Sequence, residues 1–436
     1  MTTRNNTTAR FSGAEVASPK RLKSLMASGI GNTLEWYDWT VYAVFSPFIA
    51  KAMFDPADPV SALLSTLLLF AVGFVFRPIG GIVFGRLADR LGRRTVLITT
   101  MLTMSAASLL IAIAPSFTVI GGWASLLLLL ARLAQGFAHG GESTASYAYV
   151  SEIAPPKRRG LWSSTVYISV GLGTLVATLF GSFLASTMEP AMLDQWGWRI
   201  PFGFGAVLAL LALYLRRGMM ESDVFEAEAR GAATPNPWSR QRLIVAGIKL
   251  FIFTGGTSVV FYTFNSFASA FAISQRGMDP AGAFQASIYA QLVGITALPF
   301  LGALSDRIGR KPLLIGWAVL FIALVFPLLN MIGSAPWTLF VSQAVALTMA
   351  ACSTSIYAAV IAEQLPTAQR TKVIGIAMSL SVAIFGGTAP YLNTWLTSMG
   401  LAWLFQAYFV FLCGASLAVI LTWRETRGIE LKEAGR

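Results

Sequence analysis

Charge is what this sequence has least of. Only 12% of its 436 residues are Asp, Glu, Lys or Arg, about half of the roughly 25% with which a soluble domain faces water. A chain that is also 55% hydrophobic cannot cover a water-facing surface. Histidine occurs once and cysteine twice, at Cys352 and Cys413, both inside apolar stretches. That excludes a disulfide framework and any metal-ligand spacing. The first 24 residues are polar and basic, with no apolar core ahead of a small-residue cleavage site, so no cleaved signal peptide is expected. Nothing resembles an ATP-binding loop, and no cofactor is called for.

What is present is a series of long apolar runs. A hydrocarbon core about 30 Å thick needs about 20 apolar residues per helix. Twelve such segments lie near 26–50, 61–84, 95–114, 122–147, 162–186, 198–215, 243–271, 284–304, 313–332, 337–361, 373–397 and 401–423. Helices are nearly forced there, because backbone amides in lipid must bond within their own segment. The net charge of +12 would suggest nucleic acid in a soluble protein. Here the basic residues fall in alternate connections, among them Arg86, Lys157, Arg216, Arg242 and Lys372, while the opposite set holds only Lys51 and Arg276. The positive-inside rule then places both termini in the cytoplasm. The longest polar stretch, 216–242, with Pro235 and Pro237, reads as a cytoplasmic linker. The expected organisation is a cytoplasmic segment 1–25, a six-helix half 26–215, the linker 216–242, a second half 243–423 and a tail 424–436.

One string occurs twice. GRLADRLGRR runs from Gly85 to Arg94 and GALSDRIGRK from Gly302 to Lys311. A charged, Gly-bearing loop in matching places of two apolar halves is the mark of an internally duplicated transporter. Twelve spans, a central linker and this repeat resemble the major facilitator superfamily. GNTLEWYDWTVY (Gly31–Tyr42), FRPIGG (Phe76–Gly81), RLAQGFAHGGE (Arg132–Glu142) and WGWRIPF (Trp196–Phe202) are similar to the metabolite:proton symporter family within it. WASLLLLLARLAQG, FYTF (Phe261–Phe264) and IFGGTAPY (Ile384–Tyr391) look most like its α-ketoglutarate permeases. The fifth span lacks the G-P-x-x-G-G element of the superfamily's drug:proton antiporters.

The resemblance implies an all-α membrane protein of two pseudo-symmetric six-helix halves. It implies proton-coupled import of a small organic di- or tricarboxylate across the bacterial inner membrane. The partners would be that substrate and the bilayer, with no nucleic acid, and the protein a monomer. Citrate, tricarballylate, aromatic or hydroxy acids and zwitterionic osmolytes are alternatives, and a membrane transceptor is a further one. The short tail Arg424–Arg436 cannot hold the sustained heptads of osmosensing relatives.

Ionisable groups inside a bilayer are functional candidates by default. Glu35 and Asp38 are three apart and share a helix face. Two carboxylates in a dry site resist both being ionised, which suits proton coupling, although a structural partnership with an arginine is the alternative. Arg132 offers a planar fork for a carboxylate, or a buried ion pair. Arg132, Gln135, His139 and Glu142 form one polar stripe. His139 can relay a proton or simply line a pore. Arg77 meets an anion or braces the loop, and Arg199 gates the outer end or anchors at the interface. Lys249 reads first as a snorkelling side chain and second as another positive charge for a dicarboxylate. Tyr262, Asn265, Gln291, Tyr357 and Asn393 would complete the cavity or pack the helices. Gly85, Asp89, Arg90 and Arg93 in one repeat, and Gly302, Asp306, Arg307 and Arg310 in the other, would gate the cytoplasmic face. Asp89 and Asp306 would each gain from a helix N-terminus, and Glu152 and Arg159, with Glu363 and Arg370, would be the partners of those loops.

Overall fold

The computed structural model describes residues 19–91, 93–140, 147, 150–216 and 238–431. Within them the chain is helical, with no strand. The main helices of the first half are α1 (Pro19–Val44), α2 (Pro59–Leu91), α3 (Arg93–Ile113), α4 (Gly122–His139), α5 (Arg159–Thr187) and α6 (Ile200–Arg216). Those of the second are α7 (Arg240–Phe261), α8 (Pro280–Ile308), α9 (Arg310–Met331), α10 (Pro336–Thr354), α11 (Thr367–Ser381) and α12 (Ala402–Thr422). Eight of the described helices are long and apolar enough to cross a membrane, and Ile98–Ile113 and Gly197–Leu210 are shorter apolar ones. Large apolar side chains such as Leu68, Ile82, Phe300 and Phe411 lie exposed on the outside, where lipid solvates them. The polar groups Asp38, Arg132, Gln135 and His139 lie buried within.

The repeated strings are not loops along most of their length. Helix α2 runs on to Leu91 and α8 to Ile308, since Leu, Ala, Arg and Asp extend a helix without difficulty. The turn between α8 and α9 is made at Gly309, whose φ of 108° is open to glycine and strained for other residues. The matching Gly92 lies outside the described residues.

Four spans expected to be continuous are broken. The first pauses at Phe45 before Ser46–Met53, where Pro47 cannot donate to Ala43 and the Ser46 hydroxyl bonds that carbonyl instead at 2.8 Å. The seventh passes through a π-turn at Tyr262–Ser266 into Ala268–Arg276, and Gln343 donates to the Phe264 carbonyl at 2.7 Å. The tenth is interrupted at Ser355–Ile356 before Tyr357–Glu363. The eleventh has a π-turn at Val382–Gly386 before Ala389–Ser398, with Pro390 unable to donate to Gly386. Apolar runs signal the length of a span, not these interior breaks.

The halves meet along two seams, α5 against α8 and α2 against the eleventh span. Close approach depends on glycine at one point of the first seam: a Cβ on Gly160 would lie 2.6 Å from the Gly302 carbonyl oxygen. Within the first half, a Cβ on Gly136 would lie 2.0 Å from the carbonyl oxygen of Gly73. That contact draws α4 onto α2 and sets Arg132 and Arg77 near each other.

Candidate functional site

The stripe on α4 meets α1 in antiparallel order. Gln135 Nε2 donates to Asp38 Oδ2 at 3.0 Å, and one turn on His139 Nε2 lies 2.7 Å from Glu35 Oε1. Ser108 of α3 donates to Asp38 Oδ1 at 2.6 Å, so Asp38 is held between two neutral donors. Arg132 reaches it only indirectly, giving Nη1 to Gln135 Oε1 at 2.8 Å. Of the two readings of Arg132, a buried ion pair is not made with Asp38: a glutamine stands between them.

Arg132 is fully buried, and its Nε and Nη2 have no hydrogen-bond partner. Arg77 is buried as well, and its Nε and Nη2 also have none. Aromatic rings surround both. Arg77 lies 4.1 Å from the Trp39 ring and 4.3 Å from Phe74. Arg132 lies 4.3 Å from Trp39 and 4.2 Å from Tyr42. Ring faces attract cations but do not accept the N–H bonds of a guanidinium as an oxygen would. Leaving buried charged donors unmet costs several kcal/mol, and this cluster holds four such guanidinium nitrogens without an acceptor. Tyr262 joins it from the second half, its ring 5.2 Å from Phe74 and its hydroxyl without a partner.

Two of the other expected cavity residues hold the halves together. Asn265 donates to Thr174 at 3.1 Å and Gln291 to Thr178 at 3.0 Å, both across to α5. Tyr357 shares a hydrogen bond with Thr254 at 2.8 Å, and Asn393 is buried. Arg199 lies away from the cluster. Its guanidinium donates to the carbonyls of Gln195 and Ala114 and sits over Trp198, which makes it a clamp on the ends of α3 and α6. Lys249 is half-buried on α7 and makes no hydrogen bond or ion pair among the described residues. Glu142 lies outside the described residues, as do the side chains of Asp89, Arg90 and Arg93, while Gly85 lies within α2.

At the end carrying the repeat, the second copy is the centre of a network. Asp306 accepts the backbone N–H groups of Gly160 and Leu161, both at 2.9 Å, at the N-terminus of α5. Arg310 donates to Asp306 at 2.7 Å and stands 3.6 Å from Glu363. Arg159 pairs with Glu363 at 2.8 Å, and Arg370 with Glu152 at 3.1 Å. Arg307 is exposed and contributes its carbonyl, which accepts from Arg427.

The segment after α12 enters this network, which sequence reasoning missed. Thr426 donates to Glu363 at 2.6 Å, and Arg159 donates to the Ile429 carbonyl at 2.9 Å. Glu425 accepts from the N–H groups of Arg310 and Lys311 at the start of α9. Burial works to raise its pKa, but those two donors with Arg427 and Thr426 outweigh it, and the carboxyl sits below its ordinary value. A carboxylate directly after the last apolar run was the available signal. At the opposite end, Phe45 and Phe48 of the first half stack toward Phe284 of the second, at 6.0 and 6.4 Å. The halves thus touch on both sides of the buried cluster.

Bilayer-crossing helices around a buried charge cluster, with contacts between two halves at either end, define a multi-pass membrane transporter rather than an enzyme. Residues 23–230 match the family described as "Sugar (and other) transporter" and residues 284–436 that described as "Major Facilitator Superfamily". Alpha-ketoglutarate permease of Escherichia coli is 36% identical over 94% of this chain and 96% of its own length. Citrate-proton symporter of Klebsiella pneumoniae is 31% identical over 90% and 89%. A putative proline/betaine transporter of Staphylococcus haemolyticus is 33% identical over 86% and 81%. The chain belongs to the major facilitator superfamily, among its metabolite:proton symporters. Its fold is that of the proton:xylose symporter bound to 6-bromo-6-deoxy-D-glucose, with a TM-score of 0.71 at 20% identity over 95% of this chain and 98% of that one.

Proposed function

We propose that this protein imports a small organic carboxylate, such as α-ketoglutarate, together with protons across the bacterial inner membrane. The observation that carries the reading is Arg132, buried with Nε and Nη2 unmet, beside Arg77 in the same condition. A carboxylate supplies two oxygens in the plane such a fork requires. Two guanidiniums match a dicarboxylate, whose desolvation they offset. The coupling ion is the proton, taken up among Glu35, Asp38 and His139, and no cofactor takes part. The halves rock about the cluster, opening one end while the other holds. The protein acts as a monomer, and its basic loops support a cytoplasmic place for both termini. The name of the Escherichia coli relative supports α-ketoglutarate, that of the Klebsiella relative supports citrate, and that of the Staphylococcus haemolyticus relative supports a zwitterion.

Uptake of labelled α-ketoglutarate into proteoliposomes, with and without an inward proton gradient, tests the reading. Gradient-driven accumulation that is lost in Arg132→Gln and competed by dicarboxylates is the expected result. Accumulation of proline or betaine with no competition from any acid would sink the carboxylate reading.

A further inference from the structure

Asp38 and Glu35 are both buried carboxylates on α1, yet the structure treats them differently. Asp38 accepts from Ser108 and Gln135, neutral donors that occupy both of its oxygens. Glu35 instead faces an imidazole at 2.7 Å, a group that can itself take up and release a proton. His139 Nδ1, on the other side of the ring, is buried with no partner.

The geometry points to the Glu35–His139 pair as the site that takes the transported proton, with Asp38 a positioning residue that holds Arg132 through Gln135. This deepens the symport reading and rests on it. Before the proton arrives, the ring is neutral, with Nε2 2.7 Å from Glu35 Oε1. The arriving proton lands on Nδ1, giving an imidazolium against the carboxylate, and leaves from the same atom on the other side of the membrane. No covalent bond other than N–H forms or breaks.

The charged and titratable groups around the pair explain why proton and substrate travel together. Arg77 of α2 and Arg132 of α4 lie within electrostatic reach of His139. Arg77 of α2, Tyr147 beyond α4 and Tyr262 of the seventh span lie within reach of Glu35. Asp38, on α1 itself, interacts with Arg132. Glu35 is thus shared between His139 and Arg77. A proton on His139 neutralises Glu35 from one side and releases Arg77 toward an incoming anion. An anion on Arg77 and Arg132 in turn attracts the proton. Each ligand raises the affinity for the other by the same factor.

Because histidine occurs once in the chain, isotope-labelled imidazole reports on His139 alone. The experiment follows its NMR signal against pH in the full chain in lipid nanodiscs, with and without α-ketoglutarate. Counterflow and gradient-driven accumulation are measured in parallel in proteoliposomes. The imidazole is expected to titrate across the pH range in which a gradient drives uptake. Saturating α-ketoglutarate is expected to move that titration upward by about one pH unit, a tenfold gain in proton affinity. Glu35→Gln and His139→Asn should still exchange substrate in counterflow, which shows that they fold, while losing accumulation at least tenfold. Asp38→Asn should raise the half-saturating concentration yet still accumulate. An imidazole that stays neutral throughout that range would overturn the proposal. So would a Glu35→Gln variant that accumulates like the wild type. If the wild type moves no acid even in counterflow, the substrate reading fails. The histidine titration and its loss in Glu35→Gln then decide the proton site by themselves.

Discussion

Arg159 of the first half and Glu363 of the second are joined by a 2.8 Å contact between buried atoms. Thr426 occupies the other oxygen of the same carboxylate. One acidic group therefore fastens both halves and the segment after α12. Removing one member of a buried pair leaves the other charge uncompensated, a loss of about 3–5 kcal/mol. Glu363→Gln is expected to weaken the contacted state by that order and to shift the protein toward opening at this end. Inter-half distances from paired spin labels at this end should lengthen, and a distribution equal to that of the wild type would refute it.

Glycine makes the same contact sterically possible. A Cβ on Gly160 would lie 2.2 Å from Ser305 Oγ as well as close to the Gly302 backbone. Gly160→Leu is expected to hold the halves apart there and to abolish accumulation while the protein still folds. Thermal unfolding near the wild-type Tm, with a reactive probe gaining access to a cysteine placed in the seam, is the outcome to look for. Normal transport by this variant would mean that the close approach has no role in the cycle.

Docking of the 424–431 segment depends on pH through Glu425. Its carboxyl titrates below the ordinary value of 4.5 because four backbone donors outweigh the effect of burial. A depressed native pKa contributes stability above the unfolded value, and that stability is lost as pH falls through the native one. Hydrogen exchange across 424–431, corrected for its intrinsic pH dependence, should stay protected near neutrality and rise below about pH 4.5. Glu425→Gln should be less protected at pH 7 and insensitive to this acid step.

Arg199 separates stability from binding. It clamps the carbonyls of Gln195 and Ala114 and touches none of the central cluster. Arg199→Gln is expected to lower Tm with the KM for substrate kept within twofold. A large rise in KM without a change in Tm would return Arg199 to the substrate path.

Gln135 is the link that composition alone did not weigh heavily. Gln135→Leu removes a donor from Asp38 and the acceptor of Arg132 Nη1, and a buried group left unmet costs about 1–3 kcal/mol. The half-saturating substrate concentration should rise at least fivefold, and no change would argue that Asp38 does not position Arg132.

Much of the candidate site is legible in the order of the residues. Arg132, Gln135 and His139 form a stripe by spacing alone, and Glu35 and Asp38 share a face. Which members meet is not legible there. Charge suggests that a carboxylate would seek an arginine; Glu35, within reach of Arg77, also faces His139, and Asp38 is kept from Arg132 by Gln135. The aromatic walls from Phe70 and Phe74 of α2 carry no signal of their own in a chain with 30 Phe residues.

The sequence by itself determined the class of the protein. Apolar length, scarce charge, alternating basic connections and a repeated string are one-dimensional properties, and the bilayer converts them directly into spanning helices. Only the tertiary structure decided the π-turns at Tyr262–Ser266 and Val382–Gly386, the clamp made by Arg199 and the entry of Thr426 into the Glu363 network. Each depends on how a helix is rotated about its own axis and where it is interrupted. A helix that is apolar nearly all round gives little indication of that rotation. It is fixed by which side chains, and which glycines, let two helices approach.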